Sequence, residues 1–208
     1  MKSILACAFA IVLAFLSVKT FGQEQPDKRN IWTGGQKGYV ITGDLTVIKG
    51  QKTFVINMNS HVKRMGLAEA PDSVYIPKKV KEMNEGRPGT GDKWLKEWQD
   101  AQVNFKAAFI EGFNSRLVAK GVNVGPDDSM ADYTFDISTK ALSEFMGDMY
   151  VILDIDVAKT ADPSTKIVSI RCPLNNSKLK SKLYKSKYER AYFGAGVLFG
   201  KYCYKNIF

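Results

Sequence analysis

Asp132 and Asp136 in one alternating stretch, and Asp154 and Asp156 in the next, place four carboxylates on the polar faces of two expected strands. Side chains two residues apart on a strand point the same way, so the members of each pair are expected about 7 Å apart. That separation suits an inverting glycoside hydrolase, in which one carboxylic acid protonates the leaving group while a carboxylate activates water. Four acids also supply the oxygen ligands that calcium takes. Against both stands the ordinary fate of alternating acids, a solvated sheet face. A catalytic pair needs a pocket and a neighbour that perturbs one member, and no residue pattern here guarantees either.

Little else in the chain offers reaction chemistry. His61 is the one histidine, and no serine or cysteine lies in a nucleophile-elbow pattern. Neither C-x-x-C nor H-E-x-x-H spacing occurs, so no transition-metal site is expected. The stretch Gly86-Arg87-Pro88-Gly89-Thr90-Gly91-Asp92-Lys93 resembles a phosphate-cradling loop ahead of a helix. It departs from one because Asp92 intervenes before the lysine, Trp94 takes the hydroxyl position, and a helix precedes it where a strand is required. An acid at the helix start would repel a phosphate, and no cofactor is expected.

Binding chemistry is better represented. Lys178, Lys180, Lys182, Lys185 and Lys187 put five positive charges into ten residues. A run this dense stays solvated unless it meets a polyanion, and near an anionic lipid surface each such charge contributes about 1 kcal/mol. An acidic glycan or a lipid headgroup is the expected anionic partner; a solubilising linker is the plainer reading. Nucleic acid is not expected, because the aromatic residues fall at core positions and the chain opens with an export signal.

That signal is Met1-Lys2-Ser3 followed by Ile4 to Val18, 15 uncharged and mostly apolar residues. A membrane-spanning helix needs about 20, and Lys19 ends the run too early. Small residues at Thr20 and Gly22 fit a cleavage site, so residues 1–22 are the expected signal peptide and Gln23 the mature terminus. Export places the protein in the periplasm, on the outer-membrane surface or outside the cell. It also lowers the formal charge of the 208-residue chain from +9 to +7, because Lys2 and Lys19 depart with no acid. Cys7 departs too. Cys172 and Cys203 are left either to pair as a disulfide or to stay as two buried thiols, a choice that geometry decides.

These groups need elements to hold them. Residues 23–43 are polar and glycine-rich and read as a flexible arm with Ile31, Trp32 and Tyr39 as docking side chains; residues 44–208 read as a single domain. Leu45 and Val47, then Phe54, Ile56 and Met58, alternate on either side of Gly50-Gln51 and predict an N-terminal hairpin. A short helix capped by Asp72 or Ser73, with Pro77 in its first turn, ends at Gly86. Trp94, Trp98, Ala101, Phe105, Ala108, Phe109, Phe113 and Leu117 recur at three- and four-residue spacing and predict one long amphipathic helix from Asp92 to Gly121. Three alternating stretches around 132–138, 150–157 and 167–172 predict an antiparallel meander. Glu189 to Ile207 reads as a C-terminal helix whose Gly194, Gly196 and Gly200 permit close approach to the sheet. The class is α+β, with the long helices packed on one sheet face.

The signal ending in Phe21-Gly22-Gln23, the Trp94-x-x-x-Trp98 start of the long helix, and a strand triplet followed by a glycine-containing helix resemble small exported proteins of Bacteroidota without an assigned activity. The layout from Asp44 onward is similar to envelope α/β domains: the TolB N-terminal domain, the curli-secretion lipoprotein and lipoprotein activators of peptidoglycan synthases. The lipoprotein cysteine of several of these is missing, so their membrane anchoring does not carry over, and neither do functional residues. Bacteroidota attach glycans at Asp-Ser/Thr before an aliphatic residue, Met or Thr, and Asp72-Ser73-Val74 and Asp128-Ser129-Met130 look like such sites, with Ser73 and Ser129 as acceptors. The resulting expectation is a cell-envelope binding or assembly protein without catalytic activity, its partner an envelope protein, an anionic glycan or a lipid headgroup. A carbohydrate-active hydrolase using the strand aspartates is the alternative. Oligomeric state is not legible in the sequence.

Overall fold

The computed structural model describes residues 39–66, 69–125, 131–145, 147–175, 184 and 186–208, all within one compact unit, Gly35–Phe208. The expected signal peptide, most of the expected arm, Ser129 and Lys178, Lys180, Lys182 and Lys185 lie outside the described residues. Five strands form one sheet in the order β1-β5-β4-β3-β2: β1 Tyr39–Thr42, β2 Val55–Val62, β3 Tyr133–Phe145, β4 Asp148–Lys159 and β5 Asp162–Asn175. The helices are α1 Asp72–Gly86, α2 Thr90–Gln102, α3 Phe105–Leu117 and α4 Lys187–Asn206. The protein is α+β. Its β3–β4–β5 meander is antiparallel, as the alternation predicts.

The alternation works because one phase of each strand meets the helices. Phe135 and Ile137, Leu153, Ile155 and Val157, and Val168 and Ile170 are buried, and the aspartates take the other phase. A bulge between Thr139 and Ala141 shifts that phase, putting Leu142 opposite Val151. Helix α4 lies on β4 and β5, α3 lies on β2, and the two helices pack on each other. Phe135 sits at the centre, with ring centroids of Phe54, Phe199 and Phe113 at 4.6, 5.4 and 6.1 Å. Buried polar side chains here find partners in one another: the Thr139 and Tyr192 hydroxyls are 2.7 Å apart, and the Trp94 indole donates to the Tyr188 hydroxyl at 2.9 Å.

Several local expectations are corrected. There is no N-terminal hairpin. Leu45–Ile48 is a 3-10 turn capped by Asp44, whose carboxylate accepts from the Thr46 amide at 2.8 Å. Its buried residues are Leu45 and Ile48, at the three-residue repeat of that turn, and Val47 is 41% exposed. β2 pairs instead with β3, in parallel, so its partner lies beyond a crossover that carries three helices. Tyr39–Thr42, assigned to the arm, is the edge strand beside β5. Val40, Ile41 and Thr42 are β-branched, and Gly43 at φ 81° turns the chain where a Cβ would strike the Ile167 carbonyl.

The long helix is two helices. The aromatic stripe is continuous in sequence, but the chain breaks at Val103-Asn104, where Val103 is 82% exposed and the Asn104 amide turns back to the Ala101 carbonyl. The Asn104 side chain donates to Glu189 of α4 at 2.8 Å, which holds the break against the last helix. In α1 the N-cap is Pro71, so Pro77 falls in the second turn and not the first. Gly196 and Gly200 of α4 face α3 and not the sheet: a Cβ on Gly196 would collide with the Phe109 carbonyl, one on Gly200 would crowd the Phe113 carbonyl, and one on Gly112 of α3 would collide with the Phe193 carbonyl. Helix α4 begins at Lys187, earlier than expected, because Ser186 and Glu189 form a capping box.

Candidate functional site

Three of the four strand aspartates come together on the sheet face opposite the helices. Asp136 of β3 stands directly across from Asp156 of β4, and Asp154 of β4 directly across from Arg171 of β5. The Arg171 guanidinium donates to both oxygens of Asp154, at 2.7 and 3.1 Å, the bidentate geometry that gives the strongest such pairs. Asp156 accepts from the Ser169 hydroxyl and from Lys166. Asp136 accepts from the Asn57 amide of β2 at 3.1 Å. The Lys166 ammonium is held above its ordinary range, first by its hydrogen bond to Asp156 and then by the combined field of Asp156, Asp136 and Asp154.

Asp132 does not join them. It stands four residues before Asp136, not two, and lines a separate open cleft with Gln51, Tyr133, Lys159 and Thr160. Each of the other three carboxylates already has a cation, hydroxyl or amide as partner. Beside them an open cleft of about 540 Å³ is bounded by Asn57, Asn59, Ser138, Asp136, Asp156 and Lys106 of α3. The arrangement offers fixed amide, carboxylate, hydroxyl and ammonium groups on rigid strands, a surface that can match the hydrogen bonds of a polar partner.

Sequence reasoning missed the counterparts of these acids. Arg171 and Ser169 fall on the polar phase of the third alternating stretch, which is the signal that would have found them. Asn57 was hidden because β2 was expected to pair with a hairpin partner.

The other expected site residues scatter. The Lys187 ammonium is 2.7 Å from the Glu144 carboxylate and over the Tyr188 ring at 5.5 Å. Ser73 is exposed in the first turn of α1, its amide bonded to the Asp72 side chain. His61 contacts Asp72 at 3.2 Å on the surface. Among the described residues no cluster of three or more potential metal ligands occurs, and no helix is long and apolar enough to cross a membrane.

Cys172 and Cys203 are buried free thiols. Burial pushes the Cys172 thiol up to about 12, with a smaller contribution from the Asp154 carboxylate, and holds Cys203 well above its ordinary value, with a smaller contribution from Cys172. Burial likewise lifts the Tyr188 phenol to about 12. The sign of the pH effect follows. The unfolded chain releases the thiol protons near pH 9.0, while the folded chain keeps them. Between those values the unfolded state binds fewer protons, so stability falls as pH rises. Urea midpoints at pH 8 and pH 10 are expected to drop at the higher pH, and Cys172→Ser with Cys203→Ser to remove part of the pH-dependent loss.

No family model and no curated protein matches the chain. Solved structures similar to it include PelC dodecamers from Paraburkholderia phytofirmans in two crystal forms, one of them a single-substitution variant. Each is 12% identical and spans 82% of this chain and 97% of its own, at TM-scores of 0.36 and 0.37. At that distance neither fold nor activity carries across.

Proposed function

We propose that this chain is an exported cell-envelope binding or assembly component without catalytic activity, and that its working surface is the polar sheet face around Asp136, Asp154 and Asp156. The observation that carries this reading is the engagement of all three carboxylates. Bound to Asn57, Arg171, Ser169 and Lys166, they act as a prearranged set of hydrogen-bonding groups. A face fixed by strand pairing loses little side-chain freedom on association, which favours recognition over turnover. The export signal supplies the compartment, and the lysine run from Lys178 to Lys185 supplies attraction to an anionic envelope surface.

The test separates the two surfaces. Asn59→Trp fills the cleft with bulk from its exposed outer strand and adds no charge beside the carboxylate pairs. Wild-type protein is expected to co-sediment with envelope fragments and this variant to remain in the supernatant, with melting temperature unchanged. Equal co-sedimentation of the two proteins rejects the sheet face as the working surface. Replacing Lys178, Lys180, Lys182 and Lys185 by Gln is expected to weaken binding only at low salt, since charge attraction is screened within about 8 Å at physiological ionic strength.

A further inference from the structure

Helix α1 differs from the other three described helices in having no buried residue. Its apolar residues Tyr75, Ile76, Val80 and Met83 are only partly buried against the core. Its own backbone is also weakened. Pro77 sits in the second turn and has no N–H, so the Ser73 carbonyl lacks the helical donor it would otherwise accept. A helix of 15 residues gains little from propensity alone and depends on what it packs against.

Polar and cation–π contacts hold it at three points, beside the close approach of its Val80 carbonyl to Gly91 of α2. At the N-terminus the Asp72 carboxylate accepts from the Val62 amide at 3.0 Å. In the middle the Lys79 ammonium lies over the Trp94 ring at 5.0 Å. At the C-terminus the Asn84 side chain accepts from the Gly91 amide at 2.8 Å. Left-handed glycines flank the element, Gly66 at φ 67° before it and Gly89 at φ 80° after it. Trp94, under Lys79, is 8% exposed, whereas Trp98 one turn on is 1% exposed.

We propose that α1 is a strap that swings off as a unit while the rest of the domain stays folded, uncovering the Trp94 side of α2. Elements with few buried contacts open at free energies well below global unfolding. Here the weak contacts, the missing backbone bond and the glycine flanks coincide on one segment.

Hydrogen exchange of the full chain, read by mass spectrometry, tests this. Amides of α1 are expected to exchange at least about tenfold faster than those of α3 and α4. Pro77→Ala restores the missing donor and is expected to slow exchange in α1 by about tenfold or more. Asp72→Ala removes the N-terminal attachment and is expected to speed α1 exchange, again with α3 and α4 unchanged. Exchange of α1 at the rate of α3 and α4 overturns the proposal. So does either variant if it leaves α1 unchanged or moves all helices by one common factor.

Discussion

Gly196→Ala is expected to destabilise the domain by about 3 kcal/mol, the upper range for forcing extra volume into a packed interface. The added methyl would fall on the Phe109 carbonyl and close to the Phe113 amide, both backbone atoms of α3 that move only if the helices part. Alanine improves helix propensity by about 1 kcal/mol over glycine, so the contact opposes a favourable intrinsic change and exceeds it. Gly86→Ala makes the control. Nothing lies within 4 Å of a Cβ there and no positive φ is involved, so the same chemical change is expected to be neutral or stabilising. Thermal unfolding reads both: a fall of roughly 6–12 °C for Gly196→Ala in a chain of this size, and none for Gly86→Ala. A Gly196→Ala protein as stable as wild type would mean that α3 and α4 do not meet as closely as described.

The other large effect belongs to Phe135. Its ring is fully buried, stacked on Phe54 and edge-on to Phe113 and Phe199. It therefore joins β3, α3, α4 and the residue that leads into β2 through one side chain. Phe135→Ala is expected to cost about 4 kcal/mol, from lost transfer energy and from the cavity that three surrounding rings cannot fill. Phe135→Leu keeps most of the volume and is expected to cost about 1 kcal/mol. Urea unfolding measures the pair, and equal effects for the two variants would show that the site collapses around the loss.

The local periodicities explain how much of this was legible. The meander could be read because each of its strands carries an alternating stretch, 132–138, 150–157 and 167–172, clear of the β3 bulge, and connects to the next by a short turn. The inward faces of α2 and α3 could be read from the Trp94-to-Leu117 stripe. What the stripe could not show is the break, because Phe105 continues the spacing of Ala101 across Val103-Asn104. The pairing of β2 was hidden for a different reason. A parallel partner is chosen by the whole crossover, and the residues of the strand itself look the same whether they pair with a hairpin neighbour or a distant strand. The glycines of α4 signalled close approach but not the surface approached. The carboxylates were visible, whereas their neutralisation depends on the β4–β5 register that sets Asp154 against Arg171. Short-range pattern thus located the face, and long-range register decided what kind of face it is.

Strand order also dictates when this chain can become a protein. The first two strands to be synthesised, β1 and β2, occupy opposite edges of the sheet, and their partners are β5 and β3. Neither can pair until residues beyond Tyr133 have been made, and the inward surface of α3 waits for α4 at the far end of the chain. An emerging N-terminal half has nothing to fold upon. Contacts this distant in sequence make folding slow, and the sheet closes only once the last helix has arrived.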